Sequence, residues 1–199
     1  MSAVALLLAA GTSTRMGRPK PLLPWGSVPL VAYQVRELRA ANVEYIVVVL
    51  GHEADAVRPH VPPDAHVVLN ETYREGRASS LRVGAATLPD EADPIIVLNV
   101  DQPRPRSLLR QLIDAHGRAR ALVTVPVFEG RRGHPPVLAG ALLPELRAAS
   151  EAAQGLRGII AAHAQDVHEV PVTTDIVLLD LNTPEEYERA LRRYRSTPA

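Results

Sequence analysis

The chain has 199 residues, enough to bury a full core. Its 22 lysines and arginines balance 22 aspartates and glutamates, with a pI near 7.1, so no basic surplus argues for a nucleic-acid partner. It contains no cysteine, which excludes disulfides, thiolate zinc sites and cysteine nucleophiles.

The first element is VALLLA (4–9), an apolar run read as a strand. It follows no basic start or small-residue cleavage site and is far too short to span a bilayer. A soluble cytoplasmic protein with no membrane partner is expected. After it comes PLVAYQVRELRAAN (29–42), with Leu30, Val31, Val35 and Leu38 on one helical face. YIVVVL (45–50) and HVVL (66–69) are again continuous apolar runs. The helical SSLRVGAATL (79–88), the strand PIIVLNV (94–100), the helical PRSLLRQLIDAHGRA (105–119) and the strand ALVTVPV (121–127) follow. Continuous rather than alternating apolar strands belong to sheets covered on both faces. Their alternation with helices predicts an open, mainly parallel α/β sheet, with ligands at the carboxyl ends of its strands. The last element, NTPEEYERALRRY (182–194), carries a helix start: Thr183 as N-cap, Pro184 at the first position and Glu186 as the capping-box reply. Tyr187, Ala190, Leu191 and Tyr194 form its apolar stripe. With no repeat and no low-complexity linker, residues 1–199 read as one domain.

Between the first strand and the first helix lies GTSTRMGRPK (11–20). Gly11 permits unusual backbone angles or a close ligand approach. Thr12, Ser13 and Thr14 add small hydroxyls, and Arg15 and Lys20 add two cations. The set suits a polyphosphate, or else is a surface turn with solvated cations. It is neither a Walker A loop, since Gly17 is followed by Arg18 and Pro19, nor a G-x-G-x-x-G fingerprint, since position 13 is Ser. Asp101 ends the strand PIIVLNV and precedes Gln102 and Pro103. A carboxylate there holds a cation or caps a turn.

The stretch LLLAAGTSTRMGRPKPLLP (6–24) resembles the signature of the MobA-like nucleotidyltransferases, and within them the molybdenum cofactor cytidylyltransferases. The resemblance recurs in order down the chain: EGRASSLRVG, NVDQP, GRRGHPPVL and LDLNTPEEY each resemble a family motif. It implies the Rossmann-like three-layer nucleotide-diphospho-sugar transferase fold, with a mainly parallel sheet and a small antiparallel excursion late in the chain. It implies transfer of a nucleoside monophosphate, CMP from CTP, to a phosphate-bearing acceptor such as molybdopterin, with Mg²⁺ as cofactor and a molybdoenzyme as a partner for the product. Carried over residue by residue, Leu8, Ala9, Ala10 and Gly11 form the wall for base and ribose, and Arg15 and Lys20 the triphosphate clamp. Asp101 and Asn182 hold the metal, Ser79 and Ser80 meet the nucleotide base, and Gly133 and His134 lie where the acceptor is received.

Two departures bear on these assignments. The cytidylyltransferase pattern has Asp before Thr-Pro, where this chain has Asn182; Asp180, two residues earlier, shares its strand face and is the other candidate ligand. The acidic residue usual before the Gly of the G-x-R helix is absent, with Ala153 and Gln154 in its place. Two alternatives therefore stay open: transfer to another small phosphate such as a sugar 1-phosphate, and a non-catalytic nucleotide- or pterin-binding assembly protein.

Overall fold

The computed structural model describes residues 3–195. In chain order the elements are β1 (Val4–Ala9), the hairpin β2 (Pro24–Trp25) and β3 (Val28–Pro29), α1 (Leu30–Ala40), β4 (Tyr45–Leu50), α2 (Ala54–Val57) and β5 (His66–Leu69). They continue with α3 (Arg77–Ala85), β6 (Ile95–Asn99), α4 (Arg106–Ala119), β7 (Val123–Phe128), β8 (Arg131–Arg132) and β9 (Val137–Leu138). The chain closes with α5 (Leu143–Arg147), α6 (Gly155–Ala162), β10 (Val167–Pro171) and α7 (Pro184–Arg195).

The main sheet runs β10-β7-β9-β6-β1-β4-β5, with β8 attached to β7. Strands β6, β1, β4 and β5 pair in parallel, and β10 is parallel to β7. The antiparallel excursion is β9, which opposes both β6 and β7, together with β8. Alternate side chains of the central strands feed two cores. Ala5, Leu7 and Ala9 of β1, with Ile46, Val48 and Leu50 of β4, pack against α1, α4 and α7. Val4 and Leu6, with Val47 and Val49, pack against α3, α5 and α6. The three layers follow from that alternation: each face of the sheet carries its own apolar set.

One expectation changes. The run 66–69 was expected to be covered on both faces, yet β5 pairs only with β4 at the sheet edge, and Leu69 is 44 % exposed. An apolar run cannot distinguish an edge strand from a central one. The last helix starts as its sequence predicts: the backbone N–H groups of Asn182 and Thr183 donate to Glu186 Oε2 (2.9 and 3.1 Å), and Glu186 N–H donates to Thr183 Oγ1 (3.3 Å). Tyr187, Ala190 and Leu191 are buried; the Tyr194 side chain lies outside the described residues. Among the described residues no helix is long and apolar enough to cross a membrane.

The chain leaves β1 toward β4 and β5 on one side and returns to β6 on the other. The carboxyl ends of β1 and β6 thus flank the point where strand order reverses, and this is where such sheets open a crevice.

Candidate active site

A cleft of about 540 Å³ opens at that point. The loop after β1 supplies Ala10 to Arg15 and Lys20, the end of β6 supplies Asn99 to Asp101, the entry to α3 supplies Tyr73, Arg74, Arg77 and Ser80, and Asn182 comes from the segment before α7. Residues more than 160 positions apart in the chain meet here: Lys20 Nζ lies 2.7 Å from Asp101 Oδ2 and 3.0 Å from Asn182 Oδ1.

Several expectations are refined by this geometry. Leu8, Ala10 and Gly11 line the cleft, whereas Ala9 is buried in the core on the α1 side, because successive residues of a strand face opposite ways. Gly11 does not take a left-handed conformation; Ser13 and Gly17 do, at φ 51° and 66°. What Gly11 offers is open space, since a Cβ built there meets nothing within 4 Å. The Ser13 hydroxyl accepts from the Lys20 backbone N–H at 3.0 Å and closes the loop on itself. Arg15 points into the cleft, and no described carboxylate pairs with it. Lys20 bridges the two expected metal ligands, with its ammonium paired to the Asp101 carboxylate and donating to Asn182 Oδ1.

Ser80 lines the cleft but Ser79 does not. The Ser79 hydroxyl turns inward, donating to the Gly76 carbonyl (2.8 Å) and accepting from Asn70 Nδ2 (2.8 Å), which also donates to Ser80 Oγ (2.9 Å). Gly133 and His134 also lie outside the cleft lining. A Cβ on Gly133 would fall 2.5 Å from the Val177 carbonyl oxygen, and the His134 backbone N–H donates to that same oxygen (2.8 Å). Gly133 is therefore needed for packing. Asp180 accepts from Gln102 Nε2 at 2.7 Å, and this leaves Asn182 as the residue of the pair that faces Asp101.

The support beneath Asp101 is largely illegible in the sequence. Gln34, fully buried on α1, donates from Nε2 to the Gln102 carbonyl (2.6 Å) and accepts from the Arg104 backbone N–H (3.3 Å). Arg104 is also fully buried. Its guanidinium donates to the carbonyls of His134 (3.0 Å), Pro103 (3.1 Å), Val177 (3.2 Å) and Leu179 (3.1 Å). Burial pushes its pKa down to about 10, with Asp180 and Asp101 opposing the shift. One arginine thus ties the turn that carries Asp101 to the two segments that flank it. Gln34 had a readable signal, a polar residue within the apolar stripe of α1; Arg104, between two prolines, had none. Glu151 carries no sequence signal either: its carboxylate accepts from the Ala78 backbone N–H at the start of α3, 2.5 Å away.

Residues 5–167 match the model of the MobA-like NTP transferase domain. The bifunctional protein GlmU of Rubrobacter xylanophilus is 37 % identical over 128 residues, 63 % of this chain and 27 % of that protein. The chain therefore spans about a quarter of the length of the GlmU proteins it matches. Nicotine blue oxidoreductase of Paenarthrobacter nicotinovorans is 28 % identical over 197 residues, covering 94 % of this chain and 95 % of that one. Among solved structures, Rv0371c of Mycobacterium tuberculosis H37Rv superposes with a TM-score of 0.84 at 28 % identity, over 96 % of this chain and 98 % of that chain. Its complex with manganese superposes at 0.79, again at 28 % identity, over 96 % and 99 %.

Proposed function

The chain belongs to the MobA-like NTP transferase family, and on that premise we propose that it is a metal-dependent nucleotidyltransferase. In this reading it moves CMP from CTP to a phosphate-bearing acceptor, molybdopterin or its molybdenum-loaded form, and releases pyrophosphate. The observation that carries the proposal is the convergence of the Arg15–Lys20 loop on Asp101 and Asn182 at the switch point of the sheet.

The residues fit a hard divalent cation, because two oxygen ligands already converge on one positive centre, the Lys20 ammonium. Asp101 and Asn182 would hold the ion, which supplies charge neutralisation at the phosphates; a manganese complex of Rv0371c accords with this. Arg15 and Lys20 bind the triphosphate oxygens and stabilise the charge that grows on departing pyrophosphate. An acceptor phosphate oxygen attacks the α-phosphorus in line. A new P–O bond forms as the bond to the β-phosphate oxygen breaks, and pyrophosphate leaves with the bonding pair. The nucleophile is already ionised, so no general base is needed, and positioning dominates the chemistry. Ser80 and the backbone of Ala10 and Gly11 face the nucleoside. The Ala10 methyl group fills space that guanine would use, and excluding that bulk is worth about 1–3 kcal/mol.

A second reading is favoured by two observations: a relative that covers 94 % of this chain is named an oxidoreductase, and Ala153 and Gln154 stand where the family places an acidic residue. The cleft would then bind a nucleotide without transferring it. Calorimetry with the four triphosphates and magnesium, followed by pyrophosphate release over a panel of pterin phosphates and sugar 1-phosphates, separates these readings. CTP should bind roughly ten- to two-hundred-fold tighter than GTP. Tighter GTP binding would overturn the cytidylyl assignment, and binding without pyrophosphate release on any acceptor would favour the second reading.

A further inference from the structure

Bulk at Ala10 can exclude guanine, but it cannot separate cytosine from uracil, which are the same size. The two pyrimidines differ at ring nitrogen N3, a hydrogen-bond acceptor in cytosine and an N–H donor in uracil. A side chain that can only donate would therefore favour cytosine. Ser80 is the polar side chain facing the nucleoside, and its polarity is fixed from behind by Asn70, which does not itself line the cleft. The Asn70 backbone follows β5 and is tied down, its N–H donating to the Leu50 carbonyl (2.7 Å). Its side-chain Oδ1 accepts from the Thr72 backbone N–H and from Thr72 Oγ1, both at 3.0 Å. A backbone N–H can only donate, so the atom it meets is the amide oxygen and the other end of the side chain is the NH₂ group. That group donates to Ser79 Oγ (2.8 Å) and Ser80 Oγ (2.9 Å). Ser79 passes its own hydrogen inward, to the carbonyls of Gly76 (2.8 Å) and Thr72 (3.2 Å). Ser80 accepts from Asn70, and among the described residues its hydrogen has no acceptor. That hydrogen is left to the cleft.

We propose that Asn70 is a positioning residue for base selection: it makes Ser80 present a donor, and the cleft thereby takes cytosine, through N3, in preference to uracil. The proposal rests on the nucleotidyltransferase reading above and adds to it the residue pair that tells the two pyrimidines apart. Asn70, Ser79 and Ser80 are only 1, 2 and 6 % exposed, so bulk water does not supply the partners that would let the arrangement reverse. Uracil would bring its N3–H against the Ser80 O–H and leave a donor unpaired in a buried place. The chemistry of the amide is what matters. A carboxylate at position 70 keeps the shape and the bonds to Thr72 but puts an acceptor where the NH₂ group stands. Ser80 must then turn its hydrogen inward and offer a lone pair to the cleft, which suits uracil.

Calorimetry of the intact protein with magnesium and either CTP or UTP reads the effect as the ratio of the two affinities. Wild type should prefer CTP by roughly five- to a hundredfold, the cost of an unpaired buried donor. Ser80→Ala should weaken CTP binding and bring the ratio to within about twofold of one. Asn70→Asp should carry the ratio past one, to a preference for UTP, and should change it no further when combined with Ser80→Ala. Should Asn70→Asp fold poorly, Asn70→Ala serves: without the amide the Ser80 hydroxyl is free to rotate, and the ratio should shrink toward one. A residue needed only for packing would weaken both ligands together and leave the ratio untouched. The inference is overturned by a wild type that binds UTP as tightly as CTP, or by Ser80 and Asn70 variants that keep the wild-type ratio. Failure of the underlying reading looks different: pyrophosphate is released on no acceptor while the ratio still follows the variants. If neither triphosphate binds wild type, both fall together.

Discussion

Replacing Arg104 by leucine removes the group that joins the Asp101 turn to the segments at 134 and 177–179. Its guanidinium serves four carbonyl oxygens, of Pro103, His134, Val177 and Leu179. Val177 keeps a partner in the variant, the His134 backbone N–H at 2.8 Å, so three carbonyls lose their donor. A buried polar group left without a partner costs about 1–3 kcal/mol. Leucine offsets part of this loss, because a guanidinium whose pKa is pushed down to about 10 by burial is itself costly to bury. The expected net loss is about 3–5 kcal/mol, within the range for breaking a buried charged network. For a chain of this size, each kcal/mol lowers Tm by about 2–4 °C, so a drop of roughly 6–20 °C should appear. Thermal and urea unfolding read it directly, with an unchanged m-value indicating that the variant still unfolds from the same compact state. Arg104→Lys, which keeps a charge but not the planar fork, should fall between the two. A leucine variant that melts within about 2 °C of wild type would refute the assignment of Arg104 as the staple of this site.

Arg15→Ala and Lys20→Ala should each lower pyrophosphate release by about ten- to a hundredfold through weaker triphosphate positioning, since each removes a contact of about 1.5–3 kcal/mol. Turnover at the wild-type rate in either variant would remove that residue from the clamp. Gly51→Ala should weaken nucleotide binding from behind the wall: its Cβ would lie 2.8 Å from Ala10 Cβ and Tyr73 Cβ and 2.9 Å from the Ala10 carbonyl oxygen, so both cleft residues must shift. An overpacking cost of about 1–3 kcal/mol and a measurable loss of CTP affinity by calorimetry are expected, and unchanged affinity would place Ala10 outside the nucleotide wall.

The local patterns proved legible in proportion to how local their physics is. The capping box of α7 could be read because every participant lies within five residues, Asn182 to Glu186. The strands β1, β4 and β6 could be read because burial on both faces keeps their runs apolar, with Asn99 entering only at the cleft end of β6. That the loop after β1 belongs to the cleft could be read from residue types alone, as cations and small hydroxyls cluster within ten residues. Where two adjacent residues had to be told apart, the chain was silent. Ala9 and Ser79 carry the same chemistry as Ala10 and Ser80, and only the pleat of a strand and the turn of a helix send one of each pair into the cleft and the other into the core.

By itself, then, the order of residues determined the alternation of strands and helices, the family, and the loop and carboxylate that meet at the sheet edge. These depend on short-range periodicity and on residue chemistry. Tertiary structure alone decided that Lys20 rests between Asp101 and Asn182, that Asp180 turns away to Gln102, and that Arg104 is buried beneath them all. Each of these is a contact between segments brought together by the folded sheet, from 30 residues apart for Arg104 and His134 to 162 for Lys20 and Asn182. A charge selects its partner by distance in space, and the periodicity of a sequence does not encode that distance.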